Sequence, residues 1–270
     1  MRCSAYPRPV TPVARVLSIA GSDSGAGAGI QADLKAMARC GVHGMSALTA
    51  VTAQNTVAVT AVHSLPAQAI VEQVRAVADD IGVDAVKIGM VGSAEAVMAV
   101  GQALELVGAA PIVLDPVMVS ESGARLLAPD AEQALREQLV PRAAVVTPNL
   151  TEAAVLAGAE GEAEHLARLV RALGPGAVVV TGGHREEATD LFFDGERLEA
   201  LPGERHPDGA AHGSGCTHSS ALASGLALGM DELEAARFAR QVAGDAVRDG
   251  LRELGRGVGP VNALGVGRRN

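Results

Sequence analysis

Residues 13–41 read VARVLSIAGSDSGAGAGIQADLKAMARCG. The opening VARVLSIAG (13–21) is a mostly apolar run, broken by Arg15 and Ser18, and reads as a buried strand. GIQADLKAMARCG (29–41) predicts a helix that stops at Gly41. Between them lie five successive small residues, Ser24 to Ala28. Strand, tight turn and helix in that order begin a βαβ unit, and the rest of the chain keeps the rhythm.

MSALTAVTAQ (45–54) and TVAVTAVHS (56–64) read as strands, the second partly exposed. PAQAIVEQVRAVADDIG (66–82) reads as a helix with Pro66 in its first turn, where a missing N–H is tolerated. The strands DAVKIGM (84–90), PIVLDPV (111–117), AAVVTPN (143–149) and GAVVVTGG (176–183) follow. Between them stand the helical segments 93–108, 128–141, 151–158 and 162–174. Right-handed crossovers and a mostly parallel sheet are expected, an α/β fold. TDLFFDGERLEALPG (189–203) breaks the rhythm and predicts a hairpin turning at Asp194-Gly195. Beyond the loop 203–213 the chain is mainly helical. No repeat or long linker divides it, so residues 13–270 are expected to form one domain behind a flexible, Pro-rich tail of residues 1–12.

Hydrophobic residues make up 48% and charged residues 20%, a globular composition. One Tyr, three Phe and no Trp leave a core of Ala, Val, Leu and Ile, closely packed. A net charge of −9 and the lack of a basic run argue against a nucleic-acid partner. An anionic substrate must then be held by local backbone dipoles and a metal. Cys3, Cys40 and Cys216 are far apart, without CxxC spacing, which fits a reducing cytoplasm. The N-terminal arginines precede no apolar segment, and no stretch has the length and apolarity of a membrane span.

In an open parallel sheet, ligands bind at the carboxyl ends of the strands, and the candidate motifs all fall there. Gly21, Gly25, Gly27 and Gly29 would let backbone N–H groups approach a ligand at a helix N-terminus. A dinucleotide fingerprint fails: Ile30 stands where its third glycine belongs, and nothing between Asp33 and Glu72 is acidic. A Walker loop is excluded because no Gly-Lys pair occurs. In AHGSGCTHSSALASGLALG (211–229), Gly213, Ser214, Gly215 and Cys216 would form an anion-binding nest at a helix start. That field would lower the Cys216 thiol pKa; the bland alternative is a small buried residue. Asn149 and Glu152 are spaced either for a capping box or as oxygen ligands for Mg²⁺, which Asp115 could share.

The stretches AGSDSGAGAGIQADLK, TAQNT, VKIGMVGS, VLDPVMVSESGARLL, TPNLTEA, TGGH and HGSGCT, between Val16 and Gly259, together resemble the hydroxymethylpyrimidine/phosphomethylpyrimidine kinases of thiamine biosynthesis. These belong to the ribokinase-like superfamily. The resemblance implies a three-layer α/β/α sandwich with a mostly parallel central sheet, in a cytoplasmic homodimer. It implies ATP-dependent phosphorylation, with Mg²⁺, of 4-amino-5-hydroxymethyl-2-methylpyrimidine to the monophosphate and then the diphosphate. Carried over by motif, Asp33 and Gln54 would hydrogen-bond the aminopyrimidine, while Gly21 and Met90 line its pocket. Asn149, Thr181 and Gly183 would meet ATP. Asp115 and Glu152 would serve the metal, and residues Gly213 to Cys216 the anion hole. Cys216 stands where most ribokinase-like enzymes carry an Asp base, and would act as base or line the hole.

Three departures stand out. Thr181 occupies a place where the family often has Lys, and Glu121 one usually taken by a small hydroxyl residue. The loop 203–213 carries His206 and His212 where Thr and Asn are common; with His218 they match no metal spacing and are assigned surface or supporting roles. A pyridoxine/pyridoxal kinase of the same superfamily is the nearest rival. A catalytically inactive pyrimidine-binding sensor is another, and predicts a degraded phosphate site. A nucleotide-dependent oxidoreductase lacks its acidic ribose ligand.

Overall fold

The computed structural model describes residues 13–182, 188–207 and 209–267. The expectation of a tail over residues 1–12 lies outside them. The opening stretch forms β1 (Arg15–Asp23) and α1 (Gly29–Arg39). β2 (His43–Gln54) lies parallel to β1 and turns back into β3 (Val59–Ser64), antiparallel on its outer edge. Asn55 shapes that turn, its side-chain oxygen accepting from the N–H groups of Val57 and Ala58 at 2.9 and 3.0 Å.

The chain continues through α2 (Ala67–Asp80), β4 (Ala85–Ile88), α3 (Ala94–Ala103), β5 (Ile112–Leu114) and α4 (Pro129–Gln138). Then come β6 (Val145–Val146), α5 (Leu150–Ala157), α6 (Ala163–Arg171) and β7 (Ala177–Val180). The expected hairpin is β8 (Asp190–Phe193) with β9 (Leu198–Leu201), and α7 (Ser214–Ala227) and α8 (Glu232–Arg248) follow. Its turn falls at Asp194-Gly195: the Asp194 carboxylate accepts from the N–H groups of Glu196 and Arg197, and Gly195 has φ +105°. The nine strands among the described residues join one sheet in the order β3-β2-β1-β4-β5-β6-β7-β8-β9. Pairing is parallel from β2 to β7 and antiparallel at both margins.

Successive strand residues point to opposite faces, and each face has its own core. Leu17, Ile19, Val86, Ile88 and Leu114 pack under α2 to α6. Val16, Ala85, Val113 and Val145 pack under α1, α7 and α8. Both faces are apolar, which is why the strands read as mostly hydrophobic runs. Small residues bring α7 close to its neighbours: a Cβ added at Gly225 would lie 3.0 Å from Ala235 Cβ of α8. Among the polar side chains within the parallel strands, Ser18 in β1 and Lys87 in β4 are fully buried. They lead to the site.

Candidate active site

The carboxyl ends of the parallel strands open into a cavity of about 440 Å³. It is lined by Gly21, Gln54 and Met90 on one side and by Asn149 and Thr181 on the other. Asp115, Glu152 and Gly213 to Cys216 also reach it. Eleven of the thirteen site residues picked from the sequence therefore meet in one place. Gly183 lies outside the described residues, and Asp33 is elsewhere.

Asp33 is the principal correction. Its side chain is fully buried on α1 and does not reach the cavity wall. One carboxylate oxygen accepts from Lys87 Nζ at 2.9 Å and Ser220 Oγ at 2.8 Å; the other accepts from Ser18 Oγ at 2.6 Å. All three partners lie inside the protein, and Asp33 is not among the residues that line the cavity. Lys87 was not picked out by the sequence reading. Its ammonium also lies 3.7 Å from Asp115 Oδ2, and the side chain lines the cavity. The signal was a lone charge in the otherwise apolar strand AVKI. Burial works against the Lys87 charge, but the Asp33 and Asp115 carboxylates outweigh it and raise its pKa, so it stays an ammonium.

The first glycine-rich turn also differs from expectation. Its N–H groups do not await a ligand. Those of Gly25, Gly27 and Ala28 donate to the Asp23 carboxylate at 2.8, 3.0 and 2.9 Å. His212 Nε2 lies 3.2 Å from the same group. Burial raises the Asp23 pKa, but His212 and these N–H groups outweigh it and leave the carboxyl below its ordinary value. The glycines serve contact between the two turns: a Cβ on Gly27 would collide with the His212 ring, and one on Gly213 with the Gly27 carbonyl. A Cβ on Gly21 would lie 2.8 Å from Met90 Cε, so Gly21 sets the width of the pocket beside Met90.

Gly213, with φ +84°, caps α7; the Ser214 N–H donates to the Ala211 carbonyl at 2.9 Å, the next N–H groups lack intrahelical partners, and residues 213–216 line the cavity. Cys216 is half-buried there. The lowered thiol pKa expected from the helix terminus is not what the packed site produces. Burial pushes it up to about 12; Lys87 and the Gly29 N–H pull down, while the Asp33 and Asp115 carboxylates push up. In the ligand-free site this balance favours the thiol over the thiolate.

Asn149 and Glu152 realise the capping box of α5: Asn149 Oδ1 accepts from Glu152 N–H, and Glu152 Oε2 from Asn149 N–H, both at 2.9 Å. The cap does not exclude the other role, since both residues line the cavity. Burial and the neighbouring Asp115 raise Glu152 to about 8, against the N–H groups of Asn149 and Met118. Burial likewise raises Asp115, and Asp33 adds to it, opposed by Lys87, Ser219 and His218. Two carboxyls that resist ionising together are a donor set that a divalent cation would relieve. Among the described residues no three His, Cys, Asp or Glu form a metal cage. The pair therefore suits Mg²⁺, which keeps several waters and takes the rest of its ligands from substrate phosphates.

The departures are placed as well. Thr181 pairs with Asn149 in a single parallel bridge, and the cations Lys87, Arg205 and Arg240 line the same cavity. Glu121 is exposed on the turn at the cavity mouth that Val119 and Arg125 close. His212 and His218 are 7% and 4% exposed, so neither is a surface residue.

A sheet of this order, with its cavity over the strand ends and a glycine-flanked helix terminus beside paired carboxyls, defines a small-molecule kinase of the ribokinase-like class. A family model described as phosphomethylpyrimidine kinase matches residues 23–262, and the chain belongs to that family. It is 50% identical over 254 residues to the hydroxymethylpyrimidine/phosphomethylpyrimidine kinase of Rhizobium meliloti (strain 1021), covering 91% of this chain and 95% of the relative. The structure of the Staphylococcus aureus pyridoxal kinase in complex with ADP superposes with a TM-score of 0.86 at 34% identity, covering 96% of both chains. That of the Clostridium difficile 630 phosphomethylpyrimidine kinase gives 0.75 at 40% identity, covering 84% of this chain and 96% of the other. Overall shape thus does not separate the two substrate classes.

Proposed function

We propose that the protein transfers the γ-phosphoryl group of ATP to the hydroxymethyl group of 4-amino-5-hydroxymethyl-2-methylpyrimidine, and then a second phosphoryl group to the monophosphate. The supporting observation is that the Gly21–Gln54–Met90 side and the first turn of α7 share one cavity. Gln54 holds the aminopyrimidine, its amide accepting from an exocyclic amine and donating to a ring nitrogen. Met90 supplies an adaptable apolar wall. The N–H groups of Gly213, Gly215 and Cys216 face the charge that develops on the transferring phosphoryl group, that of Ser214 being held by the Ala211 carbonyl. The Cys216 thiol lines that hole. The substrate hydroxyl then gives its proton to an oxygen of the phosphoryl group or to solvent. Asn149 and Thr181 border the triphosphate. Bound by Asp115 and Glu152, directly or through water, Mg²⁺ would neutralise charge on the phosphates.

The test is mass spectrometry of products after incubation with Mg-ATP and either the pyrimidine or pyridoxal. Mono- and then diphosphate from the pyrimidine is expected. Phosphate on pyridoxal alone would move the protein to the other substrate class, which the Staphylococcus aureus neighbour represents. Binding without product would favour the inactive sensor.

A further inference from the structure

Lys87 brings a charge to the cavity wall that the reaction described above does not use. Its ammonium is fully buried, and its side chain lines the cavity. An ammonium has three N–H donors and no acceptor. Among the described residues its one hydrogen bond runs to Asp33 Oδ1, at 2.9 Å. The other Asp33 oxygen accepts from Ser18 Oγ at 2.6 Å. Asp115 Oδ2, at 3.7 Å, is beyond hydrogen-bond reach and accepts from Ser219 Oγ at 3.0 Å instead. The remaining Lys87 donors have no acceptor within the protein.

Buried donors in folded proteins nearly always find acceptors, so an ammonium held at a cavity wall with donors to spare points to an acceptor that arrives with the ligand. Strand order indicates which part of the ligand. Lys87 stands in register between Ser18 of β1 and Val113 of β5. β1 runs on to Gly21, and Met90 follows Lys87 by three residues; both line the side of the cavity assigned to the pyrimidine. On the other side β5 leads into Asp115, assigned to the metal. Asn149 and Thr181, assigned to the triphosphate, follow β6 and β7, farther along the sheet. The Lys87 side chain thus lies between the pyrimidine wall and the metal carboxylate, which is the place of the oxygen that is phosphorylated.

We propose that Lys87 is a catalytic residue whose ammonium donates to the nucleophilic oxygen of the pyrimidine substrate, the hydroxyl in the first transfer and a phosphate oxygen in the second. The proposal rests on the kinase reading above. In each transfer that oxygen forms a bond to the γ-phosphorus while the bond from the γ-phosphorus to the bridging oxygen of ADP breaks, and the electron pair leaves with ADP. The hydroxyl proton passes to a phosphoryl oxygen or to solvent. Lys87 keeps its own proton, held by Asp33, and it fixes the nucleophile and favours it as its proton leaves. The two substrates feel the contact differently. The alcohol oxygen is neutral until it reacts, so losing the ammonium falls on kcat. The phosphate oxygen is charged when it binds, so the loss falls on affinity as well.

Calorimetry of the pyrimidine alcohol and of its monophosphate, with Mg²⁺ and without nucleotide, tests this on the wild type and Lys87→Met/Asp33→Leu. The double variant removes both buried charges and so leaves neither stranded. The ratio of the two affinities is expected to shift against the monophosphate by about tenfold, the scale of one hydrogen bond to a charged group. In the same variant kcat on the alcohol is expected to fall by at least about tenfold, with its KM little changed. An unchanged ratio overturns the proposal and leaves Lys87 a structural ion pair. So does a wild-type kcat in the double variant, or a wild type that binds neither pyrimidine. Should the double variant not fold, Lys87→Gln/Asp33→Asn, an uncharged pair that can still hydrogen-bond, is read instead, and an unchanged ratio there decides against the proposal. Turnover by the wild type with an unchanged ratio sinks this proposal alone. A shifted ratio without turnover by the wild type keeps the Lys87 contact and sinks the kinase reading.

Discussion

Lys87 Nζ lies 2.9 Å from Asp33 Oδ1, and both side chains are wholly buried. The residues are 54 positions apart, one in a central strand and one in the helix after the first glycine turn. Gly89 gives the lysine room: a Cβ there would lie 2.7 Å from Lys87 Nζ. The pair fixes the Lys87 ammonium where its side chain lines the cavity, 3.7 Å from Asp115 Oδ2. Removing one partner strands a buried charge. Lys87→Met is expected to cost about 3–5 kcal/mol in urea unfolding, whereas Lys87→Met/Asp33→Leu recovers much of the loss. A single variant as stable as the wild type would show that the pair contributes little.

Cys216 carries a proton at neutral pH in the ligand-free protein, because burial pushes the thiol up to about 12. Its alkylation by iodoacetamide, followed on the Cys216 peptide, is expected to keep rising with pH beyond about 9, the ordinary thiol value, without a plateau. A plateau near neutrality would restore the thiolate. Cys216→Ala is expected to lower kcat about 10²-fold, the scale of losing one anion-hole group, with pyrimidine KM little changed.

Glu152 is raised from 4.5 to about 8. The folded protein therefore keeps a proton that the unfolded chain releases. Its contribution to stability is full below pH 4.5 and is lost as pH rises towards about 8. In chelator, Glu152→Gln is expected to flatten that fall, and Mg²⁺ to stabilise the wild type more at the alkaline end. Identical pH profiles for variant and wild type would remove Glu152 from the account.

Gly213 and Gly215 make a matched pair. Gly213 has φ +84° and its Cβ would overlap the Gly27 carbonyl, backbone against backbone; a Cβ on Gly215 meets nothing within 4 Å. Gly213→Ala is expected to lose at least about 1–3 kcal/mol from backbone strain alone, with more from the overlap, while Gly215→Ala keeps wild-type stability. Thermal melts decide, and equal melting temperatures would contradict the close packing of the two turns.

Gln54 sits at the end of β2, its Oε1 3.1 Å from Thr52 Oγ1, and lines the cavity. Gln54→Ala is expected to raise pyrimidine KM about tenfold, the size of a lost hydrogen bond together with its stranded partner, with a smaller change in kcat. An unchanged KM would take Gln54 out of the pocket.

The sequence by itself determined what short-range chemistry controls. Apolar runs at Val16–Ala20 and Ala177–Val180 became central strands, and Asp194-Gly195 made its hairpin because a carboxylate and a φ-tolerant glycine suffice there. The Asn149–Glu152 cap formed because its partners are three residues apart. Gly21, Gln54, Met90 and the 213–216 turn converged because strand ends of a parallel sheet face one way. Only the tertiary structure decided where the buried charges found partners. Asp23 met His212 across 189 positions, Asp33 met Lys87 rather than a substrate, and Asp190 met His218 from another element. It also decided the direction of the Cys216 shift, since burial and two nearby carboxylates raise the thiol against Lys87 and the Gly29 N–H. A buried charge takes its state from whatever the fold packs around it, and that environment is assembled from segments distant in the chain.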